Sequence, residues 1–286
     1  MAKTDVLKQI VAKKKERLAQ AKLVLPEEEL KSRMAGLPAC RPFLEAINKN
    51  KQISLIAEIK KQSPSAGLIR EDFSPAGIAA VYKDAGCQAI SVLTEEDFFS
   101  GSTAYIGEVK AAVDLPVLRK DFIFEPYQVY ESRLAGADAI LLIADLLSKD
   151  SLSEMIALAD SLGMACLVES HEEKELKKVL SLKITPAEPK GQDDKILLSR
   201  SKGRKTVSFA IGLNNRDLRT LEVDLKLTER LYTLIPKDRI VVVESGLKSY
   251  QDILFLKILG VNAVLVGEAI LKSADMKSAI QDIMGW

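Results

Sequence analysis

The stretch AGADAILLIAD (135–145) carries the pattern from which the fold is read. Gly136 stands where a helix needs a left-handed residue to end, Asp138 marks a short polar link, and an apolar run follows. The run is too short for a helix and does not alternate, as in a strand buried on both faces, and it ends on Asp145. The same joint recurs in AGCQAI (85–90) and LGVNAV (259–264). The same kind of run recurs along the chain, first as ISLIAEI (53–59), AISVLTE (89–95), PVLRKDF (116–122) and AILLIAD (139–145). ACLVES (165–170), FAIGLNN (209–215), IVVVESG (240–246) and AVLVGEA (263–269) continue the series. Helix-period segments such as SPAGIAAVYKDAG (74–86), PYQVYESRLAG (126–136) and SYQDILFLKILG (249–260) lie between them. Strands and helices alternating in this way predict an α/β protein, a (β/α)8 TIM barrel, rather than an open doubly wound sheet.

Two regions fall outside the repeat. Residues 1–48 predict a helical extension packed on a barrel of residues 49–286, with an apolar stripe of Val6, Ile10, Lys14, Leu18 and Leu23. Lys13–Lys15 read as the solvated face of that helix. The polar segment 182–205 reads as a surface insertion: Glu169 to Leu213 takes 44 residues, against 22 from Glu244 to Val266. Because it precedes the sixth strand, it is expected on the barrel face opposite the chemistry.

Composition narrows the function. The 286 residues carry 41 Lys+Arg against 40 Asp+Glu, a net charge of +1, which gives no field for a nucleic-acid backbone. No apolar run nears the ~18 residues that would span a bilayer, so no membrane role is expected. The N-terminus lacks the apolar core of a secretory signal and carries Asp5 and Glu16, unlike a transit peptide. Cys40, Cys87 and Cys166 form no CxxC, which fits a reducing cytoplasm and excludes a disulfide framework. With His171 the only histidine, a His-based metal centre is not expected. Neither a GxGxxG after the first strand nor a GxxxxGK[ST] is present, so no dinucleotide or P-loop chemistry is signalled.

In such a barrel the C-terminal strand ends carry the active site. The polar residues there are Glu58 and Lys60; Glu95 and Glu96; Arg119, Lys120 and Asp121; Asp145; Glu169; Asn214 and Arg216; Glu244; and Glu268. Glu96, Arg119 and Glu268 read equally well as solvated loop residues. Glu58 and Lys60, at i and i+2, share one face and can both point into the barrel mouth. A lysine lowered by its neighbours can protonate a carbonyl, and a carboxylate raised by burial can take up a proton. Lys60, Lys120 and Arg216 suit an anionic substrate. Ser245-Gly246 and Gly267 follow the seventh and eighth strands, where barrels commonly seat a phosphate. The residues themselves thus predict a barrel enzyme without metal or cofactor, acting on a phosphorylated small molecule.

IAEIKKQSPSAG (56–67), SVLTEEDFFSGS (91–102), LPVLRKDFIFEPYQVYESRLAGADAILLI (115–143) and CLVESHEEKEL (166–176) resemble one known family. So do IGLNNRDLRTLEVDL (211–225), VVESGL (242–247) and LVGEAIL (265–271). It is the family of the indole-3-glycerol-phosphate synthases of tryptophan biosynthesis, and the likeness runs in order over nearly the whole chain. The resemblance implies closure of the indole ring of 1-(2-carboxyphenylamino)-1-deoxyribulose 5-phosphate with loss of carbon dioxide and water, without cofactor or metal. It implies that Lys120 is the general acid at the ketone and Glu169 the base or proton relay in dehydration. Lys60 would meet the anthranilate carboxylate and could donate the proton for water loss; which lysine makes each transfer stays open. Glu58 would orient a lysine, while Asn214 and Glu244 would contact sugar hydroxyls or developing charge. Ser63, Ser245, Gly246 and Gly267 resemble the phosphate seat. Phe99 and Phe122 resemble walls for the aromatic ring, with core packing the other reading. Arg216 would support Asn214 and its loop by ion pairing.

Ala66 departs from the family, many members of which carry a lysine there, and the 182–205 segment is untypical. His171 reads as a loop or first-turn helix residue rather than a catalytic one. A phosphoribosylanthranilate isomerase type would need a cysteine at the end of the first strand, where none stands. A catalytically dead scaffold would have lost Lys120 or Glu169, and both are present. The expected partner is the phosphorylated substrate alone, in a monomer or weak homodimer.

Overall fold

A computed structural model describes residues 5–49, 52–184 and 208–286. The barrel strands are β1 (Ser54–Ile59), β2 (Ala89–Leu93), β3 (Val117–Lys120) and β4 (Ala139–Ile143), then β5 (Ala165–Ser170), β6 (Ala210–Asn214), β7 (Val241–Glu244) and β8 (Ala263–Val266). All pair in parallel and close in the order β1-β8-β7-β6-β5-β4-β3-β2. Several of the apolar runs outlast their strands by a few residues. Asp121 and Phe122, for example, leave the ladder after β3. Ile56, Leu118, Leu141, Leu167, Val242 and Leu265 fill the interior, and the alternate residues pack outward under the helices. Fully burying each such side chain stabilises the fold by about 1.5–3 kcal/mol.

The helix-to-strand joint at Gly136 is present. The helix Pro126–Leu134 starts with a proline and a capping box of Glu125 and Gln128, and ends at Gly136 with φ of 92°. Its follow-on residue Asp138 is buried and accepts from the Val117 and Arg41 backbone N–H groups and from Lys110 Nζ. Arg41 also donates to the carbonyls of Lys110, Val113 and Leu115. The segment Cys40–Ile47 is thus fastened beneath the N-terminal ends of β3 and β4.

The first helix, α1 (Val6–Val24), lies over the other end. It is capped by Asp5 and buries Leu7, Ile10, Lys14 and Leu18. Val6 N–H donates to the Arg219 carbonyl, Arg17 pairs with Asp97, and Lys22 pairs with Glu125, all on loops that follow strands. Two details differ from the sequence reading. Lys14 is not solvated: its ammonium reaches Asp121 at 2.9 Å and Glu96 at 2.8 Å. Leu23 leaves the apolar stripe and is 76% exposed.

The 182–205 segment lies outside the described residues from residue 185 onward. Among the described residues no helix is long and apolar enough to cross a membrane.

Candidate active site

The C-terminal ends of the strands open into one cavity of about 700 Å³. Glu58, Lys60, Ser63, Phe99, Lys120, Phe122, Glu169, Asn214, Arg216, Glu244, Ser245, Gly246 and Gly267 all line it. Strand parity brings them there: Glu58, Lys120, Glu169, Asn214 and Glu244 are the last inward-facing residues of their strands. In register, Glu169 of β5 stands opposite Gly212 of β6, and Asn214 of β6 opposite Glu244 of β7.

Lys120 is the centre of the floor. Its Nζ donates to Glu244 Oε2 at 2.8 Å and lies 3.3 Å from Glu169 Oε2. Asn214 Nδ2 donates to the other oxygen of Glu169 at 3.0 Å, and the Arg216 backbone N–H donates to Asn214 Oδ1, fixing that amide's orientation. Burial by itself would lower the Lys120 ammonium, but Glu244 and Glu169, with Glu58 behind them, outweigh it and hold it above the ordinary lysine range. The sequence expectation of a lowered lysine is therefore reversed. Glu169, despite burial, is held below the usual carboxylate range by Lys120, His171 and Asn214. Glu244 goes the other way: burial pushes it up to about 7 against the pull of Lys120, with Glu169 adding repulsion. Two carboxylates share one lysine, and only one of them is fully ionised near neutral pH. Glu244 Oε1 is buried without a hydrogen-bond partner.

On the β1 side, Lys60 Nζ donates to Glu58 Oε1 at 2.5 Å. Gly267 is shaped by this pair, because a Cβ there would sit 2.6 Å from Glu58 Oε1. Gly212, which the sequence reading passed over, does the same for Glu244, whose Oε1 would lie 2.7 Å from an added Cβ. Ser245 and Gly246 turn the chain after β7 with φ of 67° and 82°. A non-glycine residue in that region is strained by about 1–3 kcal/mol. Asn215 holds the turn, its backbone N–H donating to the Glu244 carbonyl and its side chain to the Ser245 carbonyl. Asn215 was also missed; the doubled Asn in GLNN, one facing in and one out, was the available signal. Ser63 caps a short hairpin by accepting from Ala66 N–H at 3.2 Å.

Phe99 and Phe122 face one another with ring centroids 6.2 Å apart. Both belong to the interior apolar cluster as well as to the cavity wall, so the two readings of these rings are not exclusive. Arg216 supports its loop differently from expectation. Its guanidinium donates to the Leu221 carbonyl at 2.9 Å, and no carboxylate pairs with it among the described residues. Arg119 is a clearer correction. It is 1% exposed and bonded to Asp121, Glu131, Thr94 and Ser132, on the strand face away from Lys120. Glu96 pairs with Lys14, and Glu268 with Lys272. Glu95 caps the loop after β2 by accepting from the N–H groups of Asp97, Phe98 and Phe99.

With its acid–base groups gathered where closed parallel barrels carry their chemistry, the molecule is a (β/α)8-barrel enzyme. Comparison with known proteins makes the class definite: the chain belongs to the indole-3-glycerol phosphate synthase family, whose sequence model matches residues 7–185 and 204–283. It is thereby a carboxy-lyase of tryptophan biosynthesis. A relative of that name from Rhodopirellula baltica is 43% identical over 279 residues, 98% of each chain. One from Dehalococcoides mccartyi is 44% identical over 282 residues, covering 98% of this chain and all of that one. Residues 186–203, which the family does not match, fall inside the stretch read as an insertion.

Among solved structures, the 3-hexulose-6-phosphate synthase of Salmonella typhimurium superposes with a TM-score of 0.57 at 15% identity. The match covers 82% of this chain and 97% of that one. Phosphoribosylanthranilate isomerase from Thermotoga maritima gives 0.52 at 10%, covering 82% of this chain and all of that one. These two likenesses concern the barrel alone.

Proposed function

We propose that the chain closes the indole ring of 1-(2-carboxyphenylamino)-1-deoxyribulose 5-phosphate, releasing carbon dioxide and water, by lysine–glutamate acid–base catalysis. The observation that carries the reading is the half-buried Lys120 held between the buried Glu244 and Glu169 on the cavity floor. Lys120 stays an ammonium across the neutral range and is the acid at the ketone. Two carboxylates make it a weak acid, but a proton on Glu244 removes much of that restraint, since a neutral carboxyl no longer stabilises the ammonium. Glu169, kept ionised, is the base or relay for the later loss of water. Lys60, oriented by Glu58, meets the anthranilate carboxylate. Asn214 fixes Glu169, and Phe99 and Phe122 form the wall for the aromatic ring.

The substrate phosphate is assigned to Ser63, Ser245, Gly246 and Gly267, which line the cavity on the loops after β1, β7 and β8. Carbon dioxide then leaves as the electron pair of its breaking C–C bond flows into the electron-poor iminium, a step that needs desolvation and positioning more than an acid. Neither a cofactor nor a metal enters the scheme.

The test is the fluorescence of indole-3-glycerol phosphate formed from the synthetic substrate. Wild-type protein is expected to turn over, and Lys120→Ala to lose at least ~10² in kcat while still binding product. Glu169→Gln should slow turnover strongly with its fold intact. Wild-type-like turnover in Lys120→Ala would remove that lysine from its role.

A further inference from the structure

His171 is the chain's only histidine, and nothing in the scheme above uses it. It sits in the turn between β5 and the helix Glu173–Leu180, on the active-site end of the barrel. It is 8% exposed. Its Nε2 lies 3.0 Å from Glu169 Oε1, yet off the line of a hydrogen bond, so this buried nitrogen has bonding capacity to spare. Its Nδ1 lies 3.8 Å from Glu175 Oε2. Glu175 cannot turn freely toward it, because Oε2 also accepts from the backbone N–H groups of His171 and Glu172 in a capping box. The imidazole is thus clamped at its own backbone with Nε2 held beside one oxygen of Glu169.

We propose that His171 is a positioning residue for Glu169. With Asn214 it occupies Oε1 and leaves Oε2 to Lys120 and the substrate. The inference rests on the proposed role of Glu169 as base. A carboxylate that must take up a proton in a set direction needs its second oxygen committed, or it rotates and spreads its basicity over both. The surroundings agree. Burial works against an imidazolium, but Glu169, Glu175 and, further off, Glu244 outweigh it and raise His171 above its ordinary value. Lys120 is the cation that competes for Glu169, and Asp145 and Lys178 stand near Glu175. An imidazolium beside Glu169 lowers that carboxylate in turn.

The experiment compares His171→Leu and His171→Gln with wild type in kcat, KM and melting temperature from pH 3 to 9. Removing a neighbouring cation raises a carboxylate by about one unit or more. The acidic limb of kcat in His171→Leu should therefore move up by that amount, with kcat at pH 7.5 falling about tenfold and KM little changed. His171→Gln, which restores a neutral donor near the Nε2 position, should recover most of kcat while keeping the displaced limb. Two results would overturn the proposal. One is wild-type kcat and acidic limb in a folded His171→Leu. The other is equal impairment of the Leu and Gln variants with an unmoved limb, the mark of mere space-filling. Full activity in Glu169→Gln would instead overturn the role of Glu169, so the two failures are distinguishable.

Discussion

Two clusters of buried charge sit back to back on β3, and they are built on opposite terms. Arg119 and Asp121 face away from the barrel axis and are saturated: Lys14, Arg119 and Thr94 surround Asp121, and Glu131 completes the guanidinium. Lys14 and Arg119 together hold the Asp121 carboxyl down at about 2, against burial. Lys120, between them in sequence, faces inward to two glutamates at once, one of which keeps a buried oxygen with no partner. The outer cluster spends its bonding capacity on the protein. The inner one keeps some for a substrate, at the mouth of a cavity that can hold it. Burial and ion pairing are common to both, so neither marks a site; an unsatisfied oxygen on a cavity wall separates the inner cluster from the outer.

The sharpest way to break that contrast is to put the same side chain into both clusters. Lys120→Met should lower kcat by at least ~10² with a smaller loss of melting temperature than Arg119→Met, because a proton donor is lost while Glu244 can take up a proton and Glu169 keeps Asn214 and His171. Arg119→Met should do the reverse. It leaves Glu131 and part of Asp121 without a cation, a change that typically costs ~3–5 kcal/mol, while kcat of the folded protein stays within a few-fold. Calorimetry and the fluorescence assay read the two effects separately. A stability loss in Lys120→Met matching that of Arg119→Met would erase the distinction.

The two clusters also differ in how legible they were. The barrel and the inward groups follow from periodicity: apolar runs ended by charge, with Glu58, Lys120, Glu169, Asn214 and Glu244 last on their strands. Arg119 reads ambiguously in sequence because its partner Glu131 comes from a neighbouring helix turn, and Lys14, which shares Asp121 with it, from the N-terminal extension. Pairing across about a hundred residues has no local signature. The same limit hid the roles of Gly212 and Gly267. Their missing Cβ atoms make room for Glu244 and Glu58, which are distant in sequence. A lysine lowered by its neighbours is a fair expectation from sequence, but the sign of the neighbours is set by which carboxylates face Lys120, and these raise it against burial.

A smaller effect sharpens the inner cluster itself. Glu244 is raised from 4.5 to about 7 in the fold, so between those pH values the folded protein holds a proton that the unfolded chain has released. Its contribution to stability is therefore fully present below about 4.5 and is lost as pH rises through 7. Glu244→Gln imitates the protonated form and should match wild type in stability near pH 4.5, exceed it progressively up to about pH 7, and keep a constant margin above that. Glu169, shifted downward, follows the opposite rule: its contribution is present above 4.5 and is lost as pH falls further. Stability of Glu244→Gln that runs parallel to wild type from pH 5 to 8.5 would mean that Glu244 is an ordinary ionised partner of Lys120, and that the inner cluster is as saturated as the outer.

The smallest expected effect is none at all, on removing metal. Glu95, Glu96 and Asp97 are the one carboxylate group among the described residues with ligand atoms close enough to share an ion, all within 4.8 Å. They border the saturated cluster, not the cavity floor, and their oxygens are already committed. Glu95 accepts from three backbone N–H groups, Glu96 from Lys14, and Asp97 from Arg17 through two bonds. A divalent cation would have to displace two side-chain cations and strip a loop cap to enter. By contrast, the proton transfers assigned to Lys120, Glu169 and Lys60 need no Lewis acid. Exhaustive dialysis against EDTA should therefore leave kcat and melting temperature unchanged. A fall in kcat reversed only by added divalent metal would mean that a saturated cluster had opened to hold a catalytic ion, and the rule separating the two faces of β3 would fail at its nearest neighbour.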